Sequence, residues 1–331
     1  MARMEHANIL ATHEFARVHN LNCESRQCNT VDFIYDQESF DTSVKAIERM
    51  REDLGDDPVA QHKIYYPEDA KREFLCDGYY NGEQIRGAIE YMGGSCSAYK
   101  LVIGMLKLSL AKGLQLHTHT PVTAVQPVRD ESESGQEWLV KTPRGNVKTR
   151  TLILATNGYT AHLLPELQSQ IVPVRGQVTA QRQGTRLKQI VPEGLRTTMS
   201  IAYKGGFEYV IQRPLNHPDV PEGFGGDIII GGGLARLPQE GLTEFGETDD
   251  TSLNPLNSGY LANSLVEFFG KHWGDDDEHG RIRSEWTGIM GFTPNSLPFV
   301  GALPGREGMW ISAGFNGAGE YKKEILKIGT H

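Results

Sequence analysis

The stretch 286–319, WTGIMGFTPNSLPFVGALPGREGMWISAGFNGAG, decides how the rest of the chain is read. Three glycine-rich turns are separated in it by two short apolar strands. In order come a Trp-Thr-Gly-Ile-Met-Gly-Phe segment, the turn Thr293-Pro294-Asn295-Ser296-Leu297-Pro298, and the strand 309–313 running into Gly314-Phe315-Asn316-Gly317-Ala318-Gly319. Glycines at this density let backbone N–H groups approach a ligand, because no Cβ stands in the way. A tight strand-to-helix turn is the plain alternative for such a cluster taken alone.

The stretch resembles the C-terminal flavin-contacting segment of the FAD-dependent amine and D-amino-acid oxidoreductases, the family that includes the sarcosine, glycine and fructosyl-amine oxidases. There a Thr-Pro-Asp-x-x-Pro-x-x-Gly turn precedes a strand and a Gly-Phe-Ser-Gly-His-Gly-like turn. Thr293, Pro294, Pro298 and Gly301 match the first motif, and Gly314, Phe315, Gly317 and Gly319 the second. Asn295 stands where the family usually has Asp, and Ala318 where it often has His. Some members tether the flavin through a Cys just before the Thr-Pro turn. Residues 285–292 contain none, so the resemblance implies noncovalent FAD.

Working outward, the turn Ala155-Thr156-Asn157-Gly158-Tyr159 follows the apolar strand 151–154, a segment of the kind buried in a parallel sheet. Ligands of doubly wound sheets gather at the carboxyl ends of strands, where this turn falls. It is similar to the family's Ala-Thr-Asn-Ala-Tyr motif beside the FAD phosphates. Before it, 138–142 and 147–150 read as a hairpin around Pro143-Arg144-Gly145-Asn146. A helix carrying Leu101, Val102, Met105, Leu106, Leu108 and Leu110 ends at Gly113, and 114–125 reads as a strand following it. The resemblance places Val122 against the adenine. The implied cofactor contacts are therefore Val122, Ala155, Thr156, Asn157, Gly158, Gly314, Phe315, Asn316, Gly317, Ala318 and Gly319.

The run 171–177 looks like the family's crossing into the substrate domain, where Arg175 and Gln177 either face the cleft or act as structural ties. Strand 207–213 belongs to that domain, whose sheet covers the flavin in the family. Tyr209 and Arg213 are its candidate substrate contacts, Arg213 because a guanidinium suits a carboxylate; cross-strand packing is the alternative for both. Residues 227–233, DIIIGGG, invite a dinucleotide-loop reading, but Leu237-Pro238 interrupts any following helix. No catalytic residue is assigned.

At the N-terminal side, 5–21 reads as an amphipathic helix, 30–35 as a strand and 39–54 as a charged helix. The segment from there to Tyr91 is mixed and polar, and its tyrosines Tyr65, Tyr66, Tyr79 and Tyr80 receive no site role. In the family a strand, a Gly-x-Gly-x-x-Gly loop and an Arg-Asn-Gly-Gly-type turn precede the first of these helices and bind the ADP half of FAD. The sequence starts at that helix, so the resemblance implies an incomplete pyrophosphate site and weakened FAD binding.

The implied fold class is α/β (α+β) with two interleaved domains. Residues 1–25, 93–170 and 285–331 form a Rossmann-like FAD-binding domain, N-terminally incomplete, and residues 26–92 and 171–284 a substrate domain with a large mixed or antiparallel sheet. The implied function is FAD-dependent oxidation of the CH–NH group of an amine or amino acid, with hydride passing to flavin N5. A non-catalytic form of the fold that cannot hold FAD is the second class.

Composition narrows the partners. The 331 residues suggest about two domains. A net charge of -9, from 33 basic and 42 acidic residues, argues against nucleic acid or an anionic membrane surface. No apolar run reaches spanning length, and MARMEHANIL lacks a signal-peptide core, so a cytoplasmic location is expected. Cys23, Cys28, Cys76 and Cys96 are irregularly spaced and read as reduced thiols. His117 and His119 alternate at strand spacing with no third ligand nearby, so no metal is expected.

Overall fold

The computed structural model describes residues 2–129, 136–216, 220 and 223–317. The chain is mixed α/β, and its contacts divide it into two interleaved compact units. The first comprises Met1–Leu114, Gln177–Glu240 and Leu253–Trp286; the second comprises Gln115–Gly176, Gly241–Ser252 and Thr287–His331. A strand the sequence reading missed, Gly87–Ser95, pairs antiparallel with Arg26–Ile34 along its whole length and carries Gly93 to Ser95 into the large sheet.

That sheet has eight strands, ordered Ile282–Phe292, Val172–Gln181, Ile228–Gly232, Gly206–Gln212, Thr198–Tyr203, Arg26–Ile34, Gly87–Ser95 and Lys63–Tyr65. Arg26–Ile34 runs parallel to Thr198–Tyr203, while antiparallel pairs flank it, so the sheet is mixed. One face meets helix Pro255–Phe269: Phe33, Met199, Ile201, Val210 and Ile230 pack with Leu261, Leu265, Phe268 and Phe269. Asn254 caps that helix, its side chain accepting from the N–H groups of Leu256 and Asn257, and Pro255 fills the first turn, where its missing N–H costs nothing. On the other face Ile34 and Ile89 pack with Phe40 and Ile47 of helix Gln37–Leu54. Burying such side chains contributes roughly 1.5–3 kcal/mol each.

The second unit has two small sheets. Ala124–Arg129, Gln136–Thr142 and Gly145–Thr149 form an antiparallel meander. Phe299–Ala302, Met309–Ala313 and Leu152–Leu154 form the other, with the last two strands parallel. Trp138 is buried between them with Leu154, Leu164 and Met309, and its indole N–H donates to the Glu307 carbonyl at 2.9 Å.

Two expectations are corrected here. The strand expected at 114–125 begins at Ala124; the segment before it is a turn-rich loop, with His119 at φ 51 and both His117 and His119 exposed. A left-handed residue breaks the alternation a strand requires. The strand at 152–154 is not fully buried either, because Ile153 points outward and is 64% exposed. Among the described residues, no helix is long and apolar enough to cross a membrane, and no set of three His, Cys, Asp or Glu side chains is placed to hold a metal ion.

Candidate cofactor site

The described residues expected to contact the cofactor all belong to the second unit, and two asparagines draw several of them together. Asn157 sits in the turn after strand Leu152–Leu154 at φ 44, a left-handed position that Asn tolerates. Its side-chain oxygen accepts from the backbone N–H of Gly314 at 2.9 Å and of Phe315 at 3.2 Å. Asn316 is 1% exposed and acts in the opposite direction. Its side-chain oxygen accepts from Thr293 N–H at 2.6 Å, and its side-chain amide donates to Thr293 Oγ1 at 3.0 Å and to the Gly314 carbonyl at 2.7 Å. The Asn316 N–H also donates to Gly291 O, so the Thr-Pro turn, the glycine turn and the strand end form one hydrogen-bonded body.

Small residues make that body possible. A Cβ on Gly291 would lie 2.7 Å from Asn157 Oδ1 and 2.9 Å from the Gly158 nitrogen, too close for any other residue. Val122 joins through its carbonyl, which accepts from the Tyr159 hydroxyl at 3.1 Å. Asn295 closes its own turn by accepting from Leu297 N–H at 3.1 Å. Ala155 is exposed and Thr156 half-buried, with its hydroxyl 2.9 Å from that of Thr160. Ala318 and Gly319 lie outside the described residues, as does the tail that follows them.

A family model described as DAO, FAD dependent oxidoreductase, matches residues 1–319 of the chain. The chain belongs to this family. Among solved structures it is similar to the glycine oxidase from Geobacillus kaustophilus, at 18% identity and a TM-score of 0.68, covering 95% of this chain and 72% of that one. It is also similar to the L-proline dehydrogenase from P. horikoshii, at 20% identity and 0.66, covering 94% and 73%. The glycine oxidase from Bacillus cereus ATCC 14579 matches at 14% identity and 0.65, covering 100% and 80%. At these identities the likeness is one of fold.

The cofactor of the FAD dependent oxidoreductases can be tested against the residues present. Phe315 and Tyr159 are each 44% exposed and offer aromatic ring faces in this unit, which fits a flat aromatic group. The N–H groups of Gly314 and Phe315 are directed to Asn157 in this structure.

The candidate substrate residues belong to the first unit. Tyr209 is half-buried on strand Gly206–Gln212, and its ring lies over Gly231 of the next strand, where a Cβ would fall 2.3 Å from the hydroxyl. Arg213 does not stand open. Its Nε and Nη2 hold Glu24 at 3.1 and 2.6 Å, and Lys100 donates to the same carboxylate at 2.8 Å. A substrate carboxylate at Arg213 would have to displace Glu24. Arg175 is likewise a tie within the second unit, with Nε donating to Glu244 at 2.7 Å. In the first unit, Gln177 donates to Ser258 and accepts from Asn254 N–H.

Sequence reasoning missed the most heavily buried ionisable cluster. Glu208 is 0% exposed and accepts from the hydroxyls of Tyr203 at 2.5 Å and Tyr260 at 2.9 Å, while the Tyr80 hydroxyl lies 3.0 Å from that of Tyr260. The Arg236 guanidinium lies over the Tyr203 ring at 3.8 Å. Burial pushes the Glu208 carboxyl up to about 7, and the tyrosine hydroxyls pull it back only in part. In Phe207-Glu208-Tyr209-Val210-Ile211-Gln212 the buried positions are Glu208, Val210 and Gln212. An alternating pattern normally turns its apolar residues inward, so the only signal was a strand whose hydrophobic phase was the wrong one.

Proposed function

We propose that this member of the family oxidises the CH–NH group of a small amine or amino acid with noncovalent FAD as the electron acceptor. In this reading residues 1–25, 93–170 and 285–331 make up the FAD-binding domain, and 26–92 and 171–284 the substrate domain. The observation that carries it is the union, through Asn157 and Asn316, of the three segments whose motifs match flavin-contacting turns. When bound, FAD supplies the acceptor for the hydride leaving the carbon next to nitrogen. The chain's own part is positional. The Asn157 and Asn316 amides fix the turns, and Phe315 offers the ring an apolar face.

The names of the neighbours agree with this class, since they are glycine oxidases and a proline dehydrogenase. Noncovalent attachment is supported by residues 285–292, which contain no Cys to tether a flavin. The decisive measurement is a flavin titration followed by an amine and amino-acid panel, with oxygen and with an artificial acceptor. Acid precipitation of the loaded protein should leave all flavin in the supernatant; flavin pelleting with the protein refutes the noncovalent reading. The second reading, a non-catalytic form, is favoured by the occupied N–H groups of Gly314 and Phe315. Absence of flavin binding in the titration would select it.

A further inference from the structure

Within the first unit, an open cavity of about 630 Å³ lies at the end of the main core. Phe74, Leu75, Val191, Leu195 and Met199 give it apolar walls, and Glu90 lines it from strand Gly87–Ser95. Its volume falls within the usual range for small-molecule sites, about 300–1,000 Å³. Glu90 is only 9% exposed and is held by two neutral donors, Asn29 Nδ2 on one oxygen at 2.5 Å and the Tyr65 hydroxyl on the other at 2.6 Å. Lys63 is the nearby cation, with its ammonium 3.6 Å away and its side chain 68% exposed. That separation exceeds a hydrogen bond, and solvent screens the exposed Lys63 ammonium. At the rim Arg196 and Glu73 pair with each other at 3.3 Å.

Glu90 therefore differs from Glu244, which is paired with Arg175, and from Glu24 and Glu208. Glu24 is neutralised by Arg213 and Lys100, and Glu208 is surrounded by tyrosine hydroxyls. A carboxylate has about four acceptor positions, and the two neutral donors leave room for more. Burial raises the Glu90 carboxyl, but the hydrogen bonds from Tyr65 and Asn29 and the charge of Lys63 outweigh it and hold it below the ordinary carboxylate range. Tyr65 is pushed up to about 12, chiefly by burial and then by its bond to Glu90, so the anion sits on Glu90. An anionic ligand would be repelled there, and a neutral apolar one would leave the charge unmatched.

We propose that this cavity binds a protonated amine carried on an apolar body, with the ammonium on Glu90 and the body against Phe74, Leu75, Val191 and Met199. The site involves residues of the first unit alone and does not depend on flavin or on the proposed oxidation. The test uses the flavin-free full chain with phenethylamine as probe, and phenethyl alcohol and phenylpropionate as neutral and anionic isosteres, read by calorimetry and thermal shift. Phenethylamine should bind and raise Tm, and the isosteres should not. Glu90→Gln should weaken the amine by about tenfold or more, as loss of a charge-assisted hydrogen bond implies. Lys63→Met, which removes the competing cation, should tighten it, and Met199→Trp should fill the cavity and abolish it. Equal affinity for amine and alcohol, or an amine affinity unchanged in Glu90→Gln, overturns the proposal. If Glu90→Gln does not fold, Lys63→Met decides: unchanged or weaker amine binding overturns it as well.

Discussion

Glu24 and Glu208 are both buried carboxylates of the first unit, at 4% and 0% exposure, yet their partners set them in opposite directions. At Glu24 burial raises the carboxyl, but the hydrogen bonds from Arg213 and Lys100 outweigh it and hold the group below the ordinary range. Around Glu208 the hydrogen-bonding partners are tyrosine hydroxyls, which donate without a full charge, so burial wins and the group rises to about 7. Depth and partners act together: Glu208 is the deeper of the two and is met by uncharged donors, whereas Glu24 is met by two cations.

The comparison gives opposite pH limbs. For Glu24 the folded-state value lies below the unfolded one, so its stabilisation is present above the ordinary carboxylate range and is lost as pH falls through the folded value. For Glu208 the folded value lies above, so stability falls as pH rises from about 4.5 to about 7. The largest expected effect is from Glu24→Ala, which strands Arg213 and Lys100 and should cost about 3–5 kcal/mol near neutrality, with a flattened acid limb in denaturant melts across pH. An unchanged acid limb would show that the cations are compensated elsewhere.

Glu208→Gln comes next. It should remove the decline between about pH 4.5 and 7, worth on the order of 3 kcal/mol over that span, while keeping an acceptor for Tyr203 and Tyr260. If the decline persists in the variant, another group carries it.

Asn157→Ala supplies the uncharged control. Two backbone N–H groups lose their acceptor, so about 2 kcal/mol of stability should go, equally at every pH, together with flavin affinity if the proposed site is right. A pH-dependent loss would sink the idea that this contact is electrically neutral. The smallest effect is reserved for Gly231→Ala, where the added methyl meets the Tyr209 hydroxyl at 2.3 Å. Tilting that ring should cost about 1–2 kcal/mol and show as a lower Tm.

Much of the frame was legible. Helix Gln37–Leu54, the hairpin around Pro143 to Asn146 and the strand at Glu208 follow from periodicity and turn residues, all of which are local. Strand Gly87–Ser95 escaped because GAIEYMGGS has three glycines and a central Glu, poor strand credentials that long-range pairing with Arg26–Ile34 overrides. The candidate site was legible as motifs and not as contacts. Asn157 was named as a cofactor residue, but nothing local says that its amide would turn toward Gly314 and Phe315 and occupy the donors offered to an anion. Arg213 was read from its chemistry alone, and its commitment to Glu24, 189 residues away, is visible only in three dimensions.

The bond between Asn157 and the Gly314 N–H spans 157 residues of chain. At about 5–20 residues per second of synthesis, the strand and turn at 152–157 would wait roughly 10–30 s before their partner exists. Until then strand Leu152–Leu154 lacks its parallel neighbour Met309–Ala313 and keeps an unpaired edge. A nascent chain is thus open to strand-mediated aggregation during that interval, and under the proposed function flavin capture would wait for the glycine segment to be made.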